Sequence, residues 1–194
     1  MQNQKLDLQT LVLCAVCTAT TCVLAIITVP IQPVPFTLGS VGACIAGGLL
    51  GFKKGALTQL LYCLLVLAGL PFTPNFKSGL ASFLSPTGGY KIGFIFMAAV
   101  TGFVYRWLNA KKSTLTTATK FRNMIIAGIF GTIPYSGFGL IYYIAVTGYA
   151  LQTAVMSCVV PFIFTDFIKI PLAAFVVTKT DKLFQSNNPS SVSQ

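Results

Sequence analysis

Two ionisable residues stand near the C-terminal end of the chain in a run that holds no other charge: Asp166 and Lys169, within Phe162-Ile-Phe-Thr-Asp-Phe-Ile-Lys-Ile170. At a spacing of three they fall on one face of a helix, where they can neutralise each other. An unpaired ion at the centre of a membrane costs about 2.5–3.5 kcal/mol on insertion scales, so two such residues in an apolar run mark a substrate or ion pathway. A purely structural ion pair is the alternative. The other acids, Asp7 and Asp181, lie in polar flanks at opposite ends, and the chain has no His and no Glu. That inventory excludes His-Glu-x-x-His metal sites, Ser-His-Asp triads, Cys-His pairs and two-carboxylate acid/base machinery. No Gly-x-x-x-x-Gly-Lys-Ser/Thr phosphate loop occurs, so any ATP hydrolysis belongs to a partner. The residues thus point to binding rather than catalysis: not an enzyme, with no cofactor and no metal.

Cysteines 14, 17, 22, 44, 63 and 158 lie in apolar segments, where a thiol acts as a small hydrophobe. Cys14 and Cys17 form a Cys-x-x-Cys pair, but Thr18 follows where a haem-attachment motif has His, and no second pair completes a zinc set.

The elements that must carry these residues follow from composition. With 55% hydrophobic and 8% charged residues in 194, the chain cannot clothe an ordinary solvated surface. A net charge of +10 would fit nucleic acid only if it formed a basic stripe on a polar face; here the basic residues fall between apolar runs, so no nucleic-acid partner is expected. The expected fold class is an all-α integral membrane protein, a bundle of six transmembrane helices in one domain over 1–184, its partner the lipid bilayer. Leu8–Val29, 22 residues without a charge and about 33 Å as a helix, forms the first span. It ends in Pro30 rather than a small-residue cleavage site and exceeds a signal-peptide core, so it reads as a mature helix. Pro30–Phe36, with three prolines, is a stiff loop. Thr37–Phe52 and Gly55–Leu70 are spans two and three, interrupted at Lys53 and Lys54; their glycines suit close helix packing. Pro71–Pro86 is a long polar loop, Gly88–Leu108 span four, Asn109–Asn123 a basic loop, Met124–Val146 span five with Pro134 and Gly137 inside it, and Ala154–Thr178 span six. The polar tail, 185–194, is expected to be disordered. No internal repeat supports an inverted-repeat transporter.

Placing both termini in the cytoplasm puts Lys5, Lys53, Lys54, Arg106, Lys111, Lys112, Lys120, Arg122, Lys179 and Lys182 inside, ten of thirteen basic residues, as the positive-inside rule expects. Lys77, Lys91 and Lys169 remain outside or within the membrane, beside the Pro30–Phe36 loop and the Pro71–Pro86 loop.

Three stretches in order resemble the BioY family: Pro33-Val34-Pro35-Phe36-Thr37, Ser85-Pro86-Thr87-Gly88-Gly89-Tyr90 and Asp166-Phe167-Ile168-Lys169. The resemblance implies the biotin-specific S component of an energy-coupling factor (ECF) transporter in a bacterial plasma membrane, which captures biotin from the outer side and catalyses no reaction. It implies a site built from Phe36, Asn75, Thr87, Gly89, Tyr90, Lys91, Asp166 and Lys169. Asp166 would accept ureido N–H bonds, Lys169 donate to the ureido carbonyl, Tyr90 pack on the bicyclic ring, and Lys91 or Lys77 meet the carboxylate. The long loop departs from the family's glycine-rich run, since Pro74-Asn75-Phe76-Lys77-Ser78-Gly79 is bulkier. The implied partners are a transmembrane scaffold and two ATPase subunits, with Ala15 and Ala19, one turn apart, as the docking face; small residues at that spacing also serve internal packing. An S component for another vitamin, or a small oligomeric channel in which Asp166 and Lys169 form an assembly contact, are the competing readings.

Overall fold

The computed structural model describes residues 8–29, 35–110 and 115–187, without the side chains of Gln9, Asn75 and 182–187. Pro33 and Val34, Lys5, Lys111 and Lys112, the Asn75 and Lys182 side chains, and the tail beyond Asn187 lie outside that description.

Helix α1 spans Leu8–Ile26, three residues short of the predicted end. Thr28–Val29 (β1) instead pairs antiparallel with Phe36–Thr37 (β2), Thr28 opposite Thr37 and Val29 opposite Phe36. The physical reason is Pro30, which bars α-conformation at the residue before it and leaves β-branched Thr28 and Val29 to extended backbone. The hairpin closes with the Leu38 N–H donating to the Ile27 carbonyl at 3.2 Å, and so brings Phe36 back over the bundle.

Gly39–Leu67 (α2) is a helix folded back on itself. Gly51 has φ 77 and ψ −171, a conformation open to glycine alone. A methyl on Gly55 would sit 2.9 Å from the Gly47 Cα, although residues eight apart in a straight helix are about 12 Å apart. The reversal is at Gly51 rather than at Lys53–Lys54. Arg106 holds it, donating from Nη2 to the Leu50 carbonyl at 2.9 Å. The second half meets α1 through polar contacts: Thr18 Oγ1 donates to the Cys14 carbonyl (2.9 Å) and reaches the Thr58 carbonyl (3.3 Å), and Gln59 Nε2 donates to Thr21 Oγ1 (3.2 Å). The first half lies close against α1 at Gly42, where a methyl would sit 2.7 Å from Thr21 Oγ1.

The predicted long loop contains a 3-10 turn, Pro74–Phe76, and a short helix α3, Gly79–Leu84. It is tied down by Tyr62 donating to the Phe72 carbonyl (2.9 Å) and Tyr142 donating to the Phe83 carbonyl (2.7 Å). Helix α4 (Gly88–Asn109) packs against α2 on one side and α5 (Thr117–Thr147) on the other. Close backbone approach is possible because Gly47 lies on the Ala98 carbonyl of α4 and Gly102 on the Gly51 turn. α5 begins seven residues before the apolar run predicted, since a helix continues past the hydrocarbon where polar side chains find partners. Asn123 donates to Asn109 at 2.7 Å, Lys120 pairs with Asp181 at 3.6 Å, and Tyr105 donates to Asp181 at 3.3 Å.

The predicted sixth span is divided at Val159 into α6 (Leu151–Cys158) and α7 (Val160–Asn187), with Pro161 in the first turn of α7, where its missing N–H is no loss. α7 includes residues 185–187, which the sequence assigned to the tail. Among the described residues the architecture is all-helical apart from the pair of two-residue strands β1 and β2. Four stretches, 39–67, 88–109, 117–147 and 151–181, are long and apolar enough to cross a membrane; Thr10–Ile26 is a shorter apolar helix.

Candidate functional site

Among the described residues, every basic side chain except those of Lys77, Lys91 and Lys169 belongs to the end of the bundle where Arg106, the Gly51 turn and the Lys120–Asp181 pair meet. The three exceptions mark the opposite end. There six aromatic rings converge from five elements: Phe36 from β2, Tyr62 from α2, Tyr90 and Phe94 from α4, Tyr135 from α5 and Phe162 from α7. Tyr90 stacks on Phe162 with centroids 5.2 Å apart and rings 7° from parallel, Phe94 stacks on Tyr135 at 5.5 Å, and Phe36 leans on Phe162 at 4.8 Å. The rings of Tyr62, Tyr90, Phe94, Tyr135 and Phe162, with Ala25, Pro35, Thr37, Pro74, Thr87 and Lys91, line a cavity of ≈ 30 Å³, and Phe36 backs its wall. That is space for a water molecule, so a larger guest must displace part of the wall.

Lys91 is the charged member of the lining and is 4% exposed. Its ammonium donates to the Ser82 carbonyl at 2.9 Å and lies 5.6 Å from the Phe83 ring, so α3 caps it. Lys169, 6% exposed, places its ammonium 5.4 Å from the centroids of both Phe36 and Phe162, against the outer faces of the cavity wall. A cation over two rings is attracted by their quadrupoles. Asp166 is 7% exposed and does not approach Lys169 within ion-pair distance: Lys120–Asp181 is the ion pair among the described residues. The mutual neutralisation expected from their spacing is therefore not made by direct contact, because the Lys169 chain runs to the aromatic rings instead. Among the described residues, neither Asp166 Oδ2 nor Lys169 Nζ, both buried, has a hydrogen-bond partner. Buried charged groups in this state favour a ligand that supplies a donor to one and an acceptor to the other.

The remaining predicted positions separate. Tyr90, Thr87 and Lys91 meet at the cavity with Phe36 behind them, Thr87 with its hydroxyl 3.0 Å from that of Ser85. Gly89 faces α5, where a side chain would run into Tyr142 and the Phe138 carbonyl, so its place is a packing contact. Lys77 is exposed. Asp166 lines a different space, a groove between α5 and α7. The sequence reading missed Tyr62, Phe94, Tyr135 and Phe162: an aromatic residue in an apolar helix has no local mark that separates cavity lining from core. Ala15 and Ala19 lie on the exposed side of α1, opposite buried Cys14, Cys17 and Thr21. All six cysteines are free and buried, and no cluster of metal-ligating residues occurs among the described residues.

The pattern of the BioY family matches residues 1–186. The chain belongs to the BioY family. It is 38% identical over 145 residues to the biotin transporter BioY of Rhizobium etli, covering 74% of this chain and 76% of that one. It is 34% identical over 162 residues to the biotin transporter BioY of Thermotoga maritima, covering 81% and 86%. Among solved structures it resembles the S component for biotin from an ECF-type ABC transporter, with a TM-score of 0.79, 31% identity and coverage of 94% of this chain and 95% of that one. The three stretches that carry the BioY resemblance in sequence thus converge in space: Thr37, Thr87 and Tyr90 line one cavity, and Lys169 lies against two rings of its wall, Phe36 and Phe162.

Proposed function

We propose that the chain is the biotin-binding subunit of an energy-coupling factor importer. The observation that carries the reading is the aromatic cavity with Lys169 against two rings of its wall and Asp166 one turn away, both charged groups lacking a hydrogen-bond partner among the described residues. In a BioY-family chain, a cyclic urea meets that need. Once the guest has parted the Phe36–Phe162 wall that stands between the cavity and the two charged groups, its two N–H groups donate to the Asp166 carboxylate and its carbonyl accepts from Lys169, bonds of the charge-assisted class. Tyr90 and Phe162 supply flat apolar faces for the bicyclic ring, and Lys91 exchanges the Ser82 carbonyl for the ligand carboxylate. Asn75, whose neighbour Pro74 lines the cavity, adds a polar group from the loop once the guest has opened it. Thr87 takes part through its hydroxyl.

Six spans follow if the two halves of α2 are counted apart: α1, residues 39–50, residues 52–67, α4, α5 and α7. The basic end of the bundle then faces the cytoplasm of a bacterial plasma membrane with both termini, and the cavity opens outward. The polypeptide supplies no phosphate loop, so import draws on a scaffold and two ATPase subunits. The scaffold packs on the Ala15–Ala19 face, where small residues let a helix approach.

Radiolabelled biotin binding to the purified protein tests the assignment. Saturable binding displaced by unlabelled biotin, and not by excess thiamine or riboflavin, is expected. Displacement by another vitamin at equal concentration would transfer the chain to that substrate.

A further inference from the structure

The groove between α5 and α7 lies apart from the aromatic cavity and has the make-up of a second ligand site. The two helices touch where a methyl on Gly128 would meet Ile170 at 2.8 Å, and alongside that contact they leave a groove of about 600 Å³. This falls within the ~300–1,000 Å³ of small-molecule sites. Its rim is outward-facing and apolar, with Ile133 64%, Ile163 52% and Phe167 74% exposed, so the groove opens toward the hydrocarbon. Nothing fills the space above Gly137, whose added side chain would meet no atom within 4 Å. Deep in the groove sits Asp166, 7% exposed, its Oδ2 without a partner.

The geometry points to a lipid-side site for a single-chain amphiphile whose uncharged head donates hydrogen bonds to Asp166, as the glycerol head of a monoacyl lipid does. The match is one of complementarity. An ionised carboxylate only accepts hydrogen bonds, and hydrocarbon offers it no donor, so a plain lipid chain leaves it unsatisfied. A head bearing hydroxyls satisfies it while the alkyl chain covers the isoleucines. An anionic head is repelled. A cationic head is not required, since Lys169 already places a positive charge three residues away on the same helix. The site stands independently of the biotin reading except in one respect: if Asp166 also serves biotin, the two ligands compete for it.

The test uses the full chain in phosphatidylcholine nanodiscs, with Phe167→Trp as reporter in a Trp107→Phe background. A monoacylglycerol with a brominated chain should quench the reporter at a mole fraction at least fivefold lower than the methyl ester of the same brominated acid. Gly137→Leu, which fills the groove, should erase that difference. The unsubstituted protein should show a higher Tm with the monoacylglycerol than with the ester, a reading that does not depend on the reporter. Biotin affinity should fall at least threefold with the monoacylglycerol, and not in Gly137→Leu. Equal quenching by both probes means boundary lipid only and overturns the site. Preferential quenching with unchanged biotin affinity overturns the sharing of Asp166. Because quenching needs no biotin, a chain that bound none would fail the functional proposal, and the two probes would still decide whether the groove holds its amphiphile.

Discussion

Asp166 and Lys169 share a helix face but not an ion pair, and the difference changes what each can do. Had they closed on each other, the pair would be satisfied and of little use to a ligand. Instead Lys169 leans on Phe36 and Phe162, and Asp166 keeps a buried oxygen without a donor. The charge on Asp166 is thus available to a guest that brings donors. Asp166→Asn preserves shape but swaps half of the acceptor for an amide donor aimed at the same N–H groups. It is expected to weaken biotin binding more than tenfold, which corresponds to about 1.4 kcal/mol. Equilibrium binding of labelled biotin to purified, correctly inserted protein measures this; full affinity would remove Asp166 from the site, while loss of inserted protein would assign it to stability.

At the scale of elements, the helical reversal at Gly51 is what brings the two halves of α2 against α1 and α4. Gly51→Ala forces a Cβ into a glycine-only backbone region and into the Arg106 guanidinium. We expect a loss of about 1–3 kcal/mol, the usual cost of such a strained residue, seen as a lower Tm of the detergent-solubilised protein. Gly137→Ala, made inside α5 where a side chain meets nothing, should hold Tm or raise it; equal losses in the two variants would count against the special role of the turn. Helix α1 carries a separate prediction. Ala15 and Ala19 face outward, so replacing both with Trp should hold a neighbouring helix away without disturbing the cavity. Biotin affinity should remain while co-purification with the scaffold and ATP-driven uptake both fall. Parallel loss of binding and uptake would mean that the two alanines serve the bundle alone.

For the molecule as a whole, the segregation of basic side chains to one end predicts that the α4–α5 connection faces the cytoplasm. Thr116, exposed at the start of α5, is the place to ask. A cysteine introduced by Thr116→Cys in a background whose six native cysteines are buried should resist an impermeant thiol reagent in intact cells and react after lysis. Labelling in intact cells would reverse the orientation and with it the proposal that the cavity opens outward.

The sequence by itself determined the membrane class, most helical segments, the basic asymmetry and the choice of Asp166, Lys169 and Tyr90 as candidate residues, because hydrophobic run length, charge placement and short motifs are local quantities. Its helix ends failed where non-local partners extend or shorten a helix. Asn109–Asn123 and Lys120–Asp181 carry α4 and α5 beyond the apolar runs, and Phe36–Thr37 returns to pair with the Thr28 and Val29 that Pro30 keeps out of α1. The tertiary structure alone decided that Tyr62, Phe94, Tyr135 and Phe162 form one cavity and that Asp166 opens on a separate groove. Segments far apart in the chain supply the four rings. Whether an aromatic side chain faces a cavity, a packed neighbour or lipid depends on which helices stand beside it, and no residue's own sequence neighbourhood contains that information.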